Sequence, residues 1–180
     1  MPFHELAAKR SDKGDYWWEL RACDYYEEFE DPKIVYPDVC MRPEFTLDDG
    51  GLYLNKTCFM IPLSDKYLLG VLNSSIMRFL IKCIIPELRG GYYTLGSIYM
   101  ETMPIPIIDC TNPKDIAYRD QMVSLVGQML TLHKHLLNVR TPHEQTSLHR
   151  QIESTNQLID ALVYQLYGLN EDEINIVESK

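Results

Sequence analysis

The feature that most constrains the fold is a pair of apolar stripes in the C-terminal third of the chain, both at the alternating three- and four-residue spacing of a helix. Asn112-Pro113 opens the first helix as an N-cap residue followed by proline, and Thr141-Pro-His-Glu144 opens the second as a capping box. Gly168 suits the position just beyond the second helix. The stripes consist of Met122, Leu125, Met129, Leu132, Leu136 and Val139, followed by Leu148, Ile152, Ile159, Leu162, Leu166 and Leu169. They predict an antiparallel helical hairpin over residues 111–170.

Short runs rich in β-branched and aromatic residues alternate with turn residues in the part of the chain that precedes the hairpin. The runs Ile34-Val-Tyr36, Leu52-Tyr-Leu54 and Thr57-Cys-Phe-Met-Ile61 predict strands. Asp48-Asp-Gly-Gly51 suits a hairpin turn between them, because glycine adopts positive φ without strain. Residues 16–110 are therefore expected to contain a meander of strands.

Apolar residues recur at helical spacing from Asp65 to Ile84 and predict one amphipathic helix, with Ser64-Asp65 in front of it as a cap. A second β or irregular stretch is expected over Tyr92–Ile98. The prolines of Met103-Pro-Ile-Pro-Ile107 favour an extended strap across a surface. The chain thus predicts an α+β fold, in which a small β-rich domain with one packed helix precedes the helical hairpin.

Residues 1–15 are polar and lack periodicity, which predicts a flexible leader or the remnant of a longer polypeptide. Residues 171–180 are expected to form an acidic tail that is solvated or makes a short last turn. No apolar run approaches the ~20 residues that cross a bilayer, and the N-terminus lacks the basic-then-apolar order of a signal peptide. We therefore expect a cytoplasmic protein that does not contact a membrane.

Motifs for metal binding or catalysis are absent from the sequence. The five cysteines are odd in number and never paired as Cys-x-x-Cys, which argues against a disulfide framework and a zinc cluster. Neither the phosphate loop Gly-x-x-x-x-Gly-Lys-Ser/Thr nor the Gly-x-Ser-x-Gly turn of hydrolases occurs. We expect no metal site, no bound cofactor and no catalytic residue in this chain.

Seven motifs, taken in order, carry a family resemblance. They are Tyr16-Trp-Trp-Glu-Leu-Arg21, Pro32-Lys-Ile-Val-Tyr-Pro37, Phe45-Thr-Leu-Asp-Asp-Gly-Gly-Leu-Tyr53, Tyr67-Leu-Leu-Gly-Val-Leu-Asn-Ser74, Leu88-Arg-Gly-Gly-Tyr92, Met103-Pro-Ile-Pro106 and Ile159-Asp-Ala-Leu-Val-Tyr-Gln-Leu-Tyr-Gly168. The series resembles the TaqI-like C-terminal specificity domain of DNA adenine methyltransferases and of fused type II or IIG restriction-modification enzymes. The resemblance implies that residues 16–110 are a target-recognition domain for duplex DNA.

The same resemblance implies that another domain does the chemistry. A methyltransferase domain, in cis or as a separate chain, would bind S-adenosylmethionine and flip the target adenine. This chain has neither a glycine-rich turn for the methyl donor nor an Asn-Pro-Pro-Tyr type motif for the base. Whether the parent enzyme also cuts DNA is left open.

The net charge of -9 opposes DNA binding, because duplex affinity depends largely on cations that meet phosphates. The acids are concentrated in residues 12–31, whereas residues 33–89 hold seven bases against six acids. Folding must therefore cluster these cations, or a partner must supply most of the phosphate contacts.

The turn Arg89-Gly-Gly91 is the first candidate for a DNA contact, since its glycines let backbone approach a groove and Arg89 can bond a guanine edge or a phosphate. The tyrosines that follow can pack on sugars or bases. The complete candidate set is Arg42, Lys56, Arg78, Lys82, Arg89, Gly90, Gly91, Tyr92 and Tyr93.

A competing interpretation makes the chain a protein-interaction module that forms homo-oligomers through the hairpin. It predicts an exposed leucine and methionine stripe with dispersed cations. DNA binding instead predicts that Arg42, Lys56, Arg78, Lys82 and Arg89 share one concave face.

Overall fold

The computed structural model describes residue 9, residues 14–16, residues 18 and 19, and residues 25–179. Most of the expected leader, and part of the first family motif, lie outside these residues. The fold class is α+β, as the sequence predicts. Antiparallel strands come first and helices dominate the C-terminal half.

Two small antiparallel sheets form the β-rich part. Strands β1 (Lys33–Pro37), β3 (Thr46–Asp48) and β4 (Cys58–Ile61) make the larger sheet in the order β3-β1-β4. Strands β2 (Val39–Cys40) and β5 (Tyr93–Thr94) pair with each other as a short ribbon.

The sequence prediction for Asp48-Asp-Gly-Gly51 was wrong in its topology. The strands on either side of this segment, β3 and β4, both pair with β1 and not with each other. The segment instead turns back to the 3₁₀ turn Glu27–Phe29, where the Gly51 N–H donates to the Phe29 carbonyl. Leu52-Tyr-Leu54, predicted as a strand, is irregular because it lies in this connection.

A buried ion pair fixes the start of β1. The Lys33 side chain is fully buried, and its Nζ donates to Asp48 Oδ2 at 2.6 Å and to the Phe29 carbonyl at 2.7 Å. Burial alone would raise the pKa of the Asp48 carboxyl, but the bonds from Lys33 and from the Leu52 N–H hold this pKa below its ordinary value. The pair therefore joins β1, β3 and the 3₁₀ turn.

The single helix predicted from Asp65 to Ile84 is two helices, α1 (Lys66–Asn73) and α2 (Ser75–Ile84), which are bent by 62°. Asp65 caps α1 as expected, and its carboxylate accepts from the Tyr67 N–H at 2.7 Å. The break falls at Ser74, which leaves the helical conformation and accepts the Met77 N–H at the start of α2. Apolar periodicity continues through the break, so the spacing does not reveal it.

Residues 103–107 form the predicted strap, which has no regular secondary structure. The Tyr67 hydroxyl donates to the Pro106 carbonyl at 2.8 Å, and the Tyr167 hydroxyl donates to the Pro104 carbonyl. Burial raises the pKa of both tyrosines to about 12. The strap is thus hydrogen-bonded to α1 on one side and to the helical hairpin on the other. A short helix, α3 (Ser97–Met100), precedes it.

The predicted hairpin is present as α4 (Pro113–Asn138) and α5 (Pro142–Tyr167). Asn112 caps α4, and Gly168 ends α5 at φ 68° in a Schellman motif, with the Leu169 N–H bonded to the Tyr164 carbonyl. Thr141 caps α5, but the Glu144 carboxylate accepts the Thr141 hydroxyl and so completes no capping box.

The acidic residues after Gly168 form a further helix, α6 (Glu171–Glu178), where a solvated end or a short turn was expected. Asn170 and Glu173 make a true capping box at its start. Val177 is buried in the common core, so the helix is packed on the rest of the protein.

Helix α1 crosses α4 closely at Gly70, where a Cβ atom would overlap Met122 Sδ and lie 2.9 Å from Val126 Cγ2. The resulting core includes residues of the β-rich part and of the hairpin together. Among the described residues, no single helix is long and apolar enough to cross a membrane. The bent pair of α1 and α2 reaches that length and composition together, although most of its apolar residues are buried in this core.

Candidate nucleic-acid interface

The turn Arg89-Gly-Gly91 connects two short antiparallel segments. The Leu88 N–H donates to the Tyr92 carbonyl at 2.7 Å, and the Gly91 N–H donates to the Leu88 carbonyl at 3.2 Å. Gly90 and Gly91 have φ values of 92° and 82°, which favour glycine. Arg89 is exposed on this tight turn.

The two tyrosines after the turn point in different directions. Tyr92 is 41% exposed, whereas Tyr93 is 8% exposed and its hydroxyl lies 3.4 Å from the Glu87 carboxylate, to which it donates. Burial, and then the Glu87 carboxylate, raise the pKa of Tyr93. Tyr92 is therefore accessible to a ligand, while Tyr93 anchors the ribbon to the core.

Strand pairing brings Arg42 to the same end of the molecule as this turn. Cys40 pairs with Tyr93 in the ribbon, so the chain that leaves β2 through Met41 and Arg42 runs beside Gly91 and Tyr92. A Cβ atom on Gly91 would lie 3.8 Å from Met41 Cε. Two exposed arginines, far apart in sequence, thus stand on neighbouring segments.

Beyond Arg42 lies a cleft between the β2–β3 connection, α2, α5 and α6. Arg42, Arg78 and Lys82 line a cavity of about 560 Å³, and Arg42 and Arg78 also line an adjoining cavity of about 440 Å³. Acidic side chains line the first cavity together with the cations; among the described residues they are Glu153, Asp160 and Glu178. We call this region, lined by Arg42, Arg78 and Lys82, the arginine cleft.

Two hydrogen bonds hold Arg78 in the cleft. It is half-buried, and its Nη1 and Nη2 donate to the Asn73 carbonyl at 3.2 Å and to Ser75 Oγ at 2.8 Å. Arg78 and Lys82 are four residues apart on α2, and both line the same cavity.

Lys56 stands apart from the other candidates. It lies in an exposed turn before β4 and is not among the residues that line the arginine cleft. The fold thus brings together Arg42, Arg78 and Lys82, sets the Arg89 turn beside Arg42, and leaves Lys56 elsewhere.

Sequence reasoning missed the acidic wall of the cleft. Asp160 of α5 bonds Ser75 of α2 across 85 residues of chain. No spacing rule reports a contact over such a distance. The signal that the sequence offered was the place of Asp160 within the family motif that begins at Ile159.

The hairpin does not present the exposed stripe that the competing interpretation predicts. Every residue of the two stripes is buried or half-buried. Exposed apolar side chains on the hairpin lie off the stripes, and include Leu137 (86% exposed) and Leu158 (52%).

Comparison with known proteins identifies relatives of this chain. The model of a family described as the TaqI-like C-terminal specificity domain matches residues 4–105, which is more than half of the chain. A type II methyltransferase, M.XhoI of Xanthomonas vasicola, is 22% identical over 149 residues. That alignment covers 81% of this chain and 22% of the relative, so the chain spans about a fifth of the length of the curated relative.

Proposed function

Since the chain belongs to the TaqI-like C-terminal specificity family, we propose that it contacts duplex DNA and helps select the target sequence while a separate domain carries catalysis. The observation that supports this most is the position of the exposed Arg89 turn beside Arg42 and the arginine cleft. A relative that is a type II methyltransferase supports the further proposal of a methyltransferase domain, in cis or on another chain, with S-adenosylmethionine as its methyl donor.

The candidate residues divide by the kind of contact that their positions suit. Arg89, on a turn whose glycines carry no side chains, suits a base edge in a groove, and exposed Tyr92 suits packing on a sugar or base. The remaining cations suit phosphates, which set register without reading sequence. They are Arg42, Arg78 and Lys82 in the cleft, with Lys56 as a more remote contact.

The acids of the cleft limit how tightly the chain binds DNA alone. Among the described residues, three carboxylates and three cations line the larger cavity, so their formal charges balance. We propose that the methyltransferase domain supplies a large share of the phosphate contacts, and that this chain contributes mainly to sequence selection.

The experiment that tests this function uses the 180-residue chain to retain DNA from a randomised duplex pool at several salt concentrations, and the retained DNA is then sequenced. We expect an enriched short motif, with affinity that falls as salt rises. Arg89→Ala should abolish the enrichment. Arg140→Ala removes the same charge from an exposed site in the turn between α4 and α5, and should preserve it.

Two further results complete the test. Arg42→Ala should weaken binding to all sequences alike and reduce the salt slope, as expected for a phosphate contact. Absence of retention even at low salt would contradict DNA contact by this chain.

Sedimentation of the same sample reports whether the hairpin makes homo-oligomers, which stays a prediction.

A further inference from the structure

A chain of hydrogen bonds runs from the helical hairpin into the arginine cleft. Asp160 of α5 accepts from the Ser75 N–H through Oδ1 and from the Ser75 hydroxyl through Oδ2, both at 2.7 Å. Ser75 Oγ in turn accepts from Arg78 Nη2 at 2.8 Å. Because the Ser75 hydroxyl donates its hydrogen bond to Asp160, the lone pairs of Ser75 Oγ are available to accept from Arg78.

These bonds leave Arg78 well placed to hold an anion. Within the described part of the chain its two hydrogen bonds use two of the five guanidinium N–H donors. The second bond, to the Asn73 carbonyl, fixes the plane of the group. A planar guanidinium held in this way matches a phosphate with two parallel donors and loses little side-chain freedom on binding.

We infer that Asp160 is a positioning residue for DNA binding, which acts through Ser75 to hold Arg78 so that Arg78 and Arg42 together bind one phosphodiester of the duplex backbone. The inference rests on the proposed function and adds to it a defined ligand group and a role for the hairpin. Asp160 lies in α5, outside the 4–105 segment that the family model matches.

Removal of the Asp160 charge should change the affinity for DNA in opposite directions under simple electrostatics and under positioning. Loss of one negative charge from a face that meets DNA lessens repulsion and should tighten binding. If Asp160 positions Arg78, however, Asp160→Asn should weaken binding, because an amide NH₂ offered to Ser75 Oγ competes with Arg78 for its lone pairs.

Glu153 offers a matched control in the same cavity. Its carboxylate takes part in one long bond, 3.4 Å from Gln157 Nε2, and has no contact with Ser75 or Arg78 among the described bonds. Glu153→Gln therefore makes the same charge change as Asp160→Asn without disturbing the hydrogen-bond chain.

The experiment measures the affinity of the 180-residue chain and its variants for a labelled mixed-sequence duplex over a range of salt concentrations. Asp160→Asn should bind about two- to tenfold more weakly than the unmodified chain, the effect of one hydrogen bond. Glu153→Gln should bind as tightly or more tightly. In an Arg78→Ala background, Asp160→Asn should cause no further weakening, since the group that it positions is gone.

Tighter binding by Asp160→Asn, equal to that of Glu153→Gln and with an unchanged thermal midpoint, would overturn the inference. If Asp160→Asn does not fold, Ser75→Ala takes its place, because it keeps the backbone bond to Asp160 and removes only the hydroxyl. Ser75→Ala should weaken binding and Ser75→Thr should restore it; full affinity of Ser75→Ala would overturn the inference. Failure of the unmodified chain to bind at low salt would overturn the proposed function as well.

Discussion

Lys33 is the residue whose substitution we expect to cost the most stability. Lys33→Met would leave the Asp48 carboxylate buried without its cationic partner and would remove the hydrogen bond to the Phe29 carbonyl. Loss of one member of a buried ion pair costs about 3–5 kcal/mol. Urea denaturation followed by circular dichroism measures this difference in the free energy of unfolding.

An exposed ion pair supplies the control for Lys33. Lys134 lies 3.7 Å from Asp49, and both side chains are more than 70% exposed. Lys134→Met should change the free energy of unfolding by no more than about 0.5 kcal/mol. Equal effects of the two substitutions would show that the buried pair contributes no more than a surface contact.

The Asp48 carboxyl also gives the protein a defined sensitivity to acid. Its folded-state pKa is below its unfolded value, so its contribution is complete above about pH 3.9 and is lost as pH falls through the lower folded value. We expect the urea midpoint to fall in this range, and to fall less steeply in Asp48→Asn. Parallel pH curves for the two proteins would contradict this assignment.

Among the helices, the crossing of α1 and α4 gives a pair of glycine substitutions with opposite expected signs. Gly70→Ala gains helix propensity, but its methyl group would overlap Met122 and Val126, and such overpacking costs about 1–3 kcal/mol. At Gly127 the nearest atom to a new Cβ is Lys66 Nζ at 4.0 Å, so Gly127→Ala should stabilise by up to about 1 kcal/mol. Thermal unfolding distinguishes the two, and stabilisation by both would show that α1 and α4 pack less closely than described.

The helix ends were largely predictable from sequence because their signals are local. Asn112 begins α4 and Gly168 ends α5, as the sequence predicted, since each makes hydrogen bonds to backbone groups only a few residues away. The break at Ser74 was not predictable from periodicity, because apolar residues keep their spacing on both sides of it. Strand order was equally hidden: β1 pairs with two later strands, and pairing over such distances leaves no mark in the turns between them.

At the scale of the whole molecule, the hairpin and the β-rich part share one hydrophobic core. Leu69, Val71 and Met77 of the first part pack in the same cluster as Met122 and Val163 of the hairpin. We therefore expect a single cooperative unfolding transition for the chain. A fragment of residues 25–110 should bind the dye ANS and melt without cooperativity, because its apolar face is uncovered. A sharp transition in the fragment would show that it folds alone.

The candidate site was predictable as a set of residue types but not as a surface. The paired glycines after Arg89 predicted an exposed turn, because glycine adopts positive φ without strain. That Arg42 and Arg78 would line one cleft, and that Lys56 would not, depends on the pairing of β2 with β5 and on the bend at Ser74. The acids that line the cavity with them come from α5 and α6, and no local pattern encodes the contact of α5 with α2.

Under the proposed function, the bond between Asp160 and Ser75 determines which part of the chain must be exchanged to move target preference from one enzyme to another. An exchange that transplants only the segment matched by the family, residues 4–105, would separate Arg78 from Asp160 and leave the carboxylate to be supplied by the hairpin of the host. Engineered chimaeras should therefore take both halves of the chain, with a junction beyond Gly168. Natural recombination that respects the same constraint would pass the two on as a single inherited block.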